Sequence, residues 1–364
     1  MSHLWLRAEH KTPERRTPLT PAHAQSLVQL GHIVTVEESS QRIFPIDAYQ
    51  QAGCAIAPQG AWQDAPLDAY ILGLKYLPDT VPVFKHRHIY FAHAFKRQRH
   101  AGQLLSRFKQ GQGLLLDLEC LVDAAGSRVA AFGYFAGIAG AAIAMLLWLR
   151  KKQGLCPPYQ IPSSYASLSD LCMEIKTQMD IASDQPAALI IGAFGRCGSG
   201  AADFLQGIGL TPILWGSEDT KDRDVSGDVL NVDILLNCIF VDDTTKPFLT
   251  SKDLMRNQRL SIIADVSCEP DHACNPLPIY TETTSFNNPT YRVWNDNAAI
   301  DLMSIDNLPV FLPAESSANF SAQLIGYLED LLAGDDKTGV WARAADTYYN
   351  NLSRLFDADM RKVI

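Results

Sequence analysis

One stretch of this 364-residue chain leaves little freedom in what surrounds it: AALIIGAFGRCGSGAADFL, residues 187–205. An apolar run with two adjacent isoleucines stops at Gly192, glycines recur at 195, 198 and 200, and a helix-like pattern follows. That order is the strand, tight turn and helix of a dinucleotide-binding βαβ unit. The first glycine permits the turn, the second lets backbone approach a pyrophosphate, and the third lets helix and strand pack closely. Open N–H groups at the helix start then face the phosphates. Gly192, Gly195 and Gly198 fit a GxxGxxG variant, with Arg196 and Cys197 at the start of the helix. A plain tight turn is the bland alternative. The usual companion is an acidic residue at the end of the next strand, about 20 residues on. Here LWGSED places Glu218 and Asp219 there, either of which could equally be a solvated loop carboxylate. Lys221 and Arg223 follow closely and leave a 2′-phosphate open.

The turn comes after half the chain, so the preceding residues need a fold of their own. LWLRAE, HIVTVEES, CAIAP, AYILGLK, HIYFAHA and GLLLDLE read as short strands, most of them separated by helical or turn segments. Such alternation implies a mainly parallel sheet with helices on its faces. A second alternating unit runs through AALIIGAF, PILWG, VDILLNCIF and LSIIADVS. The expected fold class is therefore α/β, with two Rossmann-like doubly wound domains. Residues 1–130 plus 317–364 form the first and residues 131–316 the second, the helical stretch 317–356 returning to the first domain.

VAAFGYFAGIAGAAIAMLLWL, residues 129–149, carries no charge and is long enough to cross a bilayer. Its alanines and glycines instead suit a buried helix packed closely against a sheet, and no membrane partner is expected. A net charge of −9 argues against a general nucleic-acid binder, because counterion release rewards positive surfaces. Eight cysteines without a CxxC pair indicate a reduced, cytoplasmic setting. CEPDHAC, 268–274, lacks a fourth ligand and reads as a polar loop, with no metal expected.

KTPERRTPLTP, ILGLKYLP and IYFAHAFKRQ in the first half, then RVAAFGYFAGIAGAA, GAFGRCGSG, ADVS and SIDNLPVFLP, occur in that order along the chain. Together they resemble the NAD-dependent, lysine-forming saccharopine dehydrogenases over nearly the whole length. The first half also looks like alanine dehydrogenase and the transhydrogenases. The resemblance implies oxidative deamination of saccharopine by NAD and water to lysine and 2-oxoglutarate. It implies two Rossmann-like domains with the active site in the inter-domain cleft, NAD on the second and most substrate contacts from the first. The catalytic pair falls on Lys75 and His93. Histidine titrates near neutrality unperturbed, whereas a lysine needs desolvation or neighbouring cations, which Lys96, Arg128, Lys11 and Arg16 could supply. Saccharopine carries three carboxylates, and Lys11, Arg16, Lys96 and Arg128 are the expected cationic contacts. Glu14 and Glu119 could hold the lysine-side ammonium or tune the pair. Asp265 and Asp306 approach the nicotinamide side, where Leu308 and Pro309 shape the wall. Cys197 and Cys238 line the cofactor edge and could approach each other, bridging in an oxidised sample and standing as thiols in a reducing cytoplasm.

Two positions depart from the family pattern. Gly216 stands where an acidic residue is usual after the tryptophan of the second strand, and Tyr76 where a glutamate often follows the lysine. A related NAD(P)-linked enzyme acting on alanine or a similar amino acid, and a non-catalytic NAD-binding protein, are the alternatives. Small-molecule substrates and a monomer are expected.

Overall fold

The first sheet is built from short apolar runs in which almost every residue is buried, as strands covered on both faces require. The computed structural model describes residues 1–11, 14–95, 101–221, 223–257, 259–296 and 298–360, with side chains through 355. Two compact units emerge, residues 1–131 with 316–364 and residues 132–315.

In the first unit, β1 (His3–Leu6), β2 (Ile33–Glu37), β3 (Ala55–Ala57), β4 (Tyr70–Leu72), β5 (Arg87–Tyr90) and β6 (Leu114–Asp117) lie in the order β3-β2-β1-β4-β5-β6. All pairs are parallel. The chain winds outward from β1 to β3 and then returns to β4, so the strand order reverses beside β1. In such sheets ligands bind beyond the carboxyl ends of the strands at the reversal. Helices α1 (Pro21–Gln29), α2 (Ile46–Gln51) and α3 (Ala101–Gly111) occupy the connections. LTP is a helix start: the Thr20 side chain caps α1 by accepting from His23 N, and Pro21 takes the first helical position.

The second unit opens with α4 (Gly133–Lys152) and α5 (Leu168–Ala182). Its strands are β7 (Ala188–Ile191), β8 (Ile213–Trp215), β9 (Ile234–Asn237), β10 (Ile262–Asp265), β11 (Tyr291–Trp294) and β12 (Ile300–Met303), in the order β11-β12-β10-β9-β7-β8. Helix α6 (Arg196–Gly207) follows β7, and α7 (Ser217–Thr220), α8 (Ser226–Val229) and α9 (Ser251–Leu254) are single turns. β11 runs antiparallel to β12 and the remaining pairs are parallel. YRVW and IDLM, which form this edge, do not stand out as strands in the sequence.

The long apolar stretch is the core helix of this unit: α4 is buried from Phe135 through Leu149 apart from Ala136. Its small residues admit another helix as well as the sheet. A Cβ on Gly137 would stand 1.8 Å from the Cys197 carbonyl oxygen, and one on Gly200 2.0 Å from that of Tyr134. Helices α4 and α6 therefore meet backbone to backbone. The chain then enters α10 (Pro313–Ala333) and α11 (Val340–Met360). Helix α11 packs on the first sheet, where Tyr348 OH donates to Gly113 O at 3.1 Å.

Candidate active site

In the first unit, chemistry-bearing side chains follow the carboxyl ends of β1, β4, β5 and β6. Lys75 comes three residues after β4, and its backbone is gripped from both sides. Its N–H donates to Glu9 Oε2 at 3.0 Å, and its carbonyl accepts from Arg7 Nη2. Glu9 Oε1 also accepts from Leu74 N at 2.7 Å, and Arg7 and Glu9 pair at 3.3 Å. Gly73 makes this possible, because a Cβ there would lie 2.4 Å from the Arg7 guanidinium carbon. Both clamp residues are buried, so the pair works in a medium where hydrogen bonds to charge are strong.

His93 follows β5 in a left-handed backbone conformation, φ +51°. A histidine there is held by its surroundings. The holder is Asp117, which ends β6 and is 1% exposed. Its carboxylate accepts from Ala92 N (3.3 Å) and Ala94 N (3.4 Å), the residues flanking His93, and from Glu119 N (3.0 Å). Burial raises the Asp117 pKa, with the nearby Glu119 charge adding, and these backbone bonds offset only part of the rise. The Glu119 side chain returns to His93, with Oε2 3.0 Å from Nδ1. A carboxylate on Nδ1 favours the tautomer protonated there and leaves Nε2 as the acceptor. Phe91 stacks on the imidazole at 6.3 Å between centroids, and Tyr76 approaches at 6.3 Å.

The expected cations divide. Arg128 is half exposed and stands 3.9 Å from Glu119. Lys11 lies over the Tyr76 ring at 5.5 Å. Arg16 is 3% exposed and forks onto Glu14, Nε to Oε1 at 2.8 Å and Nη2 to Oε2 at 2.7 Å. Burial by itself would raise the Glu14 pKa. Arg16, with a further contribution from the Lys75 charge, overcomes this and holds the carboxyl below its ordinary value. Lys96 lies outside the described residues. Arg7, Glu9 and Asp117 are the residues that sequence reasoning missed. Their one visible trace is position, since each sits at or just beyond the end of an apolar strand.

In the second unit, the turn after β7 is tied to the end of β8: Gly192 N and Ala193 N donate to Trp215 O at 2.9 and 3.0 Å. Gly192 has φ +81°, and a Cβ there would lie 2.9 Å from the Cys238 carbonyl. A Cβ on Gly198 would be 2.1 Å from Gly192 O. Gly195 caps α6 without a side-chain bond, and Arg196 is exposed in the first turn. Every cysteine is a thiol, so no bridge joins Cys197 to Cys238. Burial pushes the Cys238 thiol well up, and the neighbouring Cys197 adds to this.

Glu218 is exposed and lies 3.9 Å from Lys221, whereas the Asp219 carboxylate accepts from Gly216 N at 2.8 Å. Asp265 is 1% exposed and accepts from Tyr280 OH (2.6 Å), Asn237 Nδ2 (2.9 Å) and Cys268 N (3.2 Å). Burial raises its pKa against those bonds. Asp306 is exposed, while Leu308 is buried in the core with its methyl group against Gly140 of α4. His272 Nδ1 accepts from Cys274 N at 3.1 Å, and no metal-ligating cluster is found among the described residues.

Two doubly wound units, one carrying a glycine turn and the other a lysine and a histidine at adjacent strand ends, define a class of two-domain α/β dehydrogenases. The structure of an L-alanine dehydrogenase superposes with a TM-score of 0.69, covering 98% of this chain and 99% of that one at 16% identity. Residues 5–139 match the family described as alanine dehydrogenase/PNT, N-terminal domain. Within that class the sequence is more specific. It is 41% identical to the saccharopine dehydrogenase [NAD(+), L-lysine-forming] of Schizosaccharomyces pombe, over 97% of this chain and 99% of that protein. The enzyme of the same name from Emericella nidulans is 39% identical, over 97% and 98%. The chain belongs to the NAD-dependent, L-lysine-forming saccharopine dehydrogenases.

Proposed function

We propose that this protein oxidises saccharopine with NAD and water to L-lysine, 2-oxoglutarate and NADH. The observation that carries the reading is the His93–Glu119 pair, backed by Asp117, in a chain of this family. His93 follows the strand paired with the one leading to the clamped Lys75. The second unit fits the cofactor. A Cβ would fill the cradle at Gly192 and Gly198, and the uncapped start of α6 presents backbone N–H groups suited to a pyrophosphate. Bound NAD supplies the hydride acceptor, and Gly192, Gly195, Arg196, Cys197, Gly198 and Cys238 are the residues proposed to surround it.

The remaining chemistry falls to side chains of the first unit. The secondary amine of saccharopine must be neutral before its carbon gives up hydride, so one group takes a proton. The imine then adds water, and the carbinolamine collapses to free lysine as its nitrogen gains a proton. Lys75 and His93 are assigned these transfers, acting at different points. Rigid backbone clamps on both hold their reach constant through the cycle. Lys11, Arg16 and Arg128 are assigned to the substrate carboxylates, with Lys96 as a further contact and Glu14 and Glu119 on the ammonium side. The substrates are small molecules, and a cytoplasmic monomer is the working assembly.

Purified protein mixed with saccharopine and NAD should accumulate NADH and release lysine, with alanine giving no comparable signal. No turnover with saccharopine would sink the assignment. Replacing His93 with Asn should cut turnover by about 10²–10⁴-fold, the usual worth of a general acid–base group. NADH binding, measured separately, should persist.

A further inference from the structure

In a dinucleotide-binding unit, discrimination against a 2′-phosphate resides at the end of the second strand, where a carboxylate bonds the ribose hydroxyls. Here that strand is β8, and it ends Trp215–Gly216. The space beside Gly216 is taken. A Cβ there would meet Cδ2 and Cε2 of Phe194 at 3.0 and 3.2 Å, closer than side chains normally approach. Phe194 is the residue between the first two glycines of the turn, and the two bonds to Trp215 O fix the turn against β8. Its ring is 76% exposed, an apolar face open beside the turn.

Among the described residues, the carboxylates that follow the strand end make local contacts. Asp219 bonds Gly216 N, Asp228 pairs with Arg223 at 3.2 Å, and Asp224 accepts from Ser226 N at 2.9 Å. Glu218 points outward toward Lys221. Arg223 lies over the Trp215 ring at 4.9 Å, so a guanidinium rather than a carboxylate caps the strand end.

We infer that Phe194 and Gly216 form a coupled pair that replaces the ribose carboxylate. The ring takes the apolar face of the adenosine, the 2′ position is left unguarded, and the protein binds NADPH nearly as well as NADH. Lys221 and Arg223 are the cations nearest in sequence to receive the 2′-phosphate. The inference rests on the NAD-dependent reading above and deepens it. An acidic residue at 216 is sterically coupled to position 194, so cofactor choice is a property of the two together.

Fluorescence titration of the intact protein with NADH and with NADPH tests this without turnover. The expected ratio of dissociation constants is below about thirtyfold, because position 216 at the strand end carries no carboxylate to bond the ribose or repel a phosphate. A larger ratio in favour of NADH overturns the inference and leaves the dehydrogenase reading standing, whereas absence of NADH binding defeats the cofactor assignment itself. Gly216 has φ −97°, so Gly216→Asp introduces no backbone strain and its cost is the contact with the ring. Gly216→Asp alone should weaken both cofactors. Gly216→Asp with Phe194→Ala should recover NADH binding and exclude NADPH. Full NADH selectivity from Gly216→Asp alone, with no loss of affinity, would show the pair to be uncoupled. Circular dichroism melts confirm that each variant is folded.

Discussion

His93 occupies a backbone region that costs a non-glycine residue about 1 kcal/mol or more, and the surrounding structure has to supply that. Asp117 does so by accepting from the amides on either side of it, while also orienting Glu119 toward the imidazole. An asparagine at 117 keeps the size but offers one carbonyl oxygen and an NH2 where two acceptor oxygens are needed. Asp117→Asn should lower kcat by about 10–100-fold through misplacement of the ring, with NADH affinity unchanged. An unaltered kcat would mean that His93 does not depend on this clamp. Lys75 and His93 could be proposed from the sequence because their motifs, GLKYLP and FAHAFK, are local. Asp117, Arg7 and Glu9 are not, because their partners lie on neighbouring strands. Glu9 meets Lys75 across 66 residues, and no pattern in either segment announces the meeting. Arg16, proposed as a substrate contact, is also paired with a buried carboxylate, Glu14, two residues away, a local contact that its sequence motif carries whole.

At the scale of elements, strand–helix alternation conveys the doubly wound α/β class, and ten of the twelve strands among the described residues fall in runs that read as strands. The antiparallel edge formed by β11 and β12 escapes because YRVW is only partly buried and lacks a clean period. The alanine- and glycine-rich helix α4 has a more particular cause than packing on a sheet. Gly137 and Gly200 let two helix backbones touch. Gly137→Ala would drive a methyl group into the Cys197 carbonyl at the start of the cofactor helix. We expect a loss of about 1–3 kcal/mol in urea denaturation, the usual cost of overpacking, together with weaker NADH binding. Gly207, at the other end of α6, has nothing within 4 Å of its would-be Cβ. Gly207→Ala should therefore be neutral or stabilising by about 0.5–1 kcal/mol through helix propensity. Equal effects from the two substitutions would refute the backbone-contact explanation.

Across the whole molecule, the candidate site groups gather beyond strand ends, yet one titratable ring sits in the middle of a core. His88 of β5 is fully buried among Trp62, Phe84 and Phe108, with centroids 5.1–5.4 Å away. Neither ring nitrogen has a hydrogen-bond partner among the described residues. Burial holds its pKa well below the ordinary 6.5, and the Arg7 charge and the neighbouring His86 push the same way. The folded protein therefore keeps His88 neutral while the unfolded chain can protonate it. Stability contributed by the neutral ring is complete above about pH 6.5 and falls with pH below that, by at most about 1.4 kcal/mol per pH unit. Asp265 and Asp117 act in the opposite sense. Their folded pKa values are raised, so what they contribute is present in acid and is lost as pH rises through those values. Acid sensitivity between about pH 6.5 and pH 5 should thus trace to the first unit. Burial also lowers His3, His10, His23 and His32 there, and His88 is the most deeply buried. Urea denaturation at a series of pH values should show that His88→Leu removes up to about one proton's worth of the slope in that window. An identical slope in both proteins would place the acid-sensitive group elsewhere.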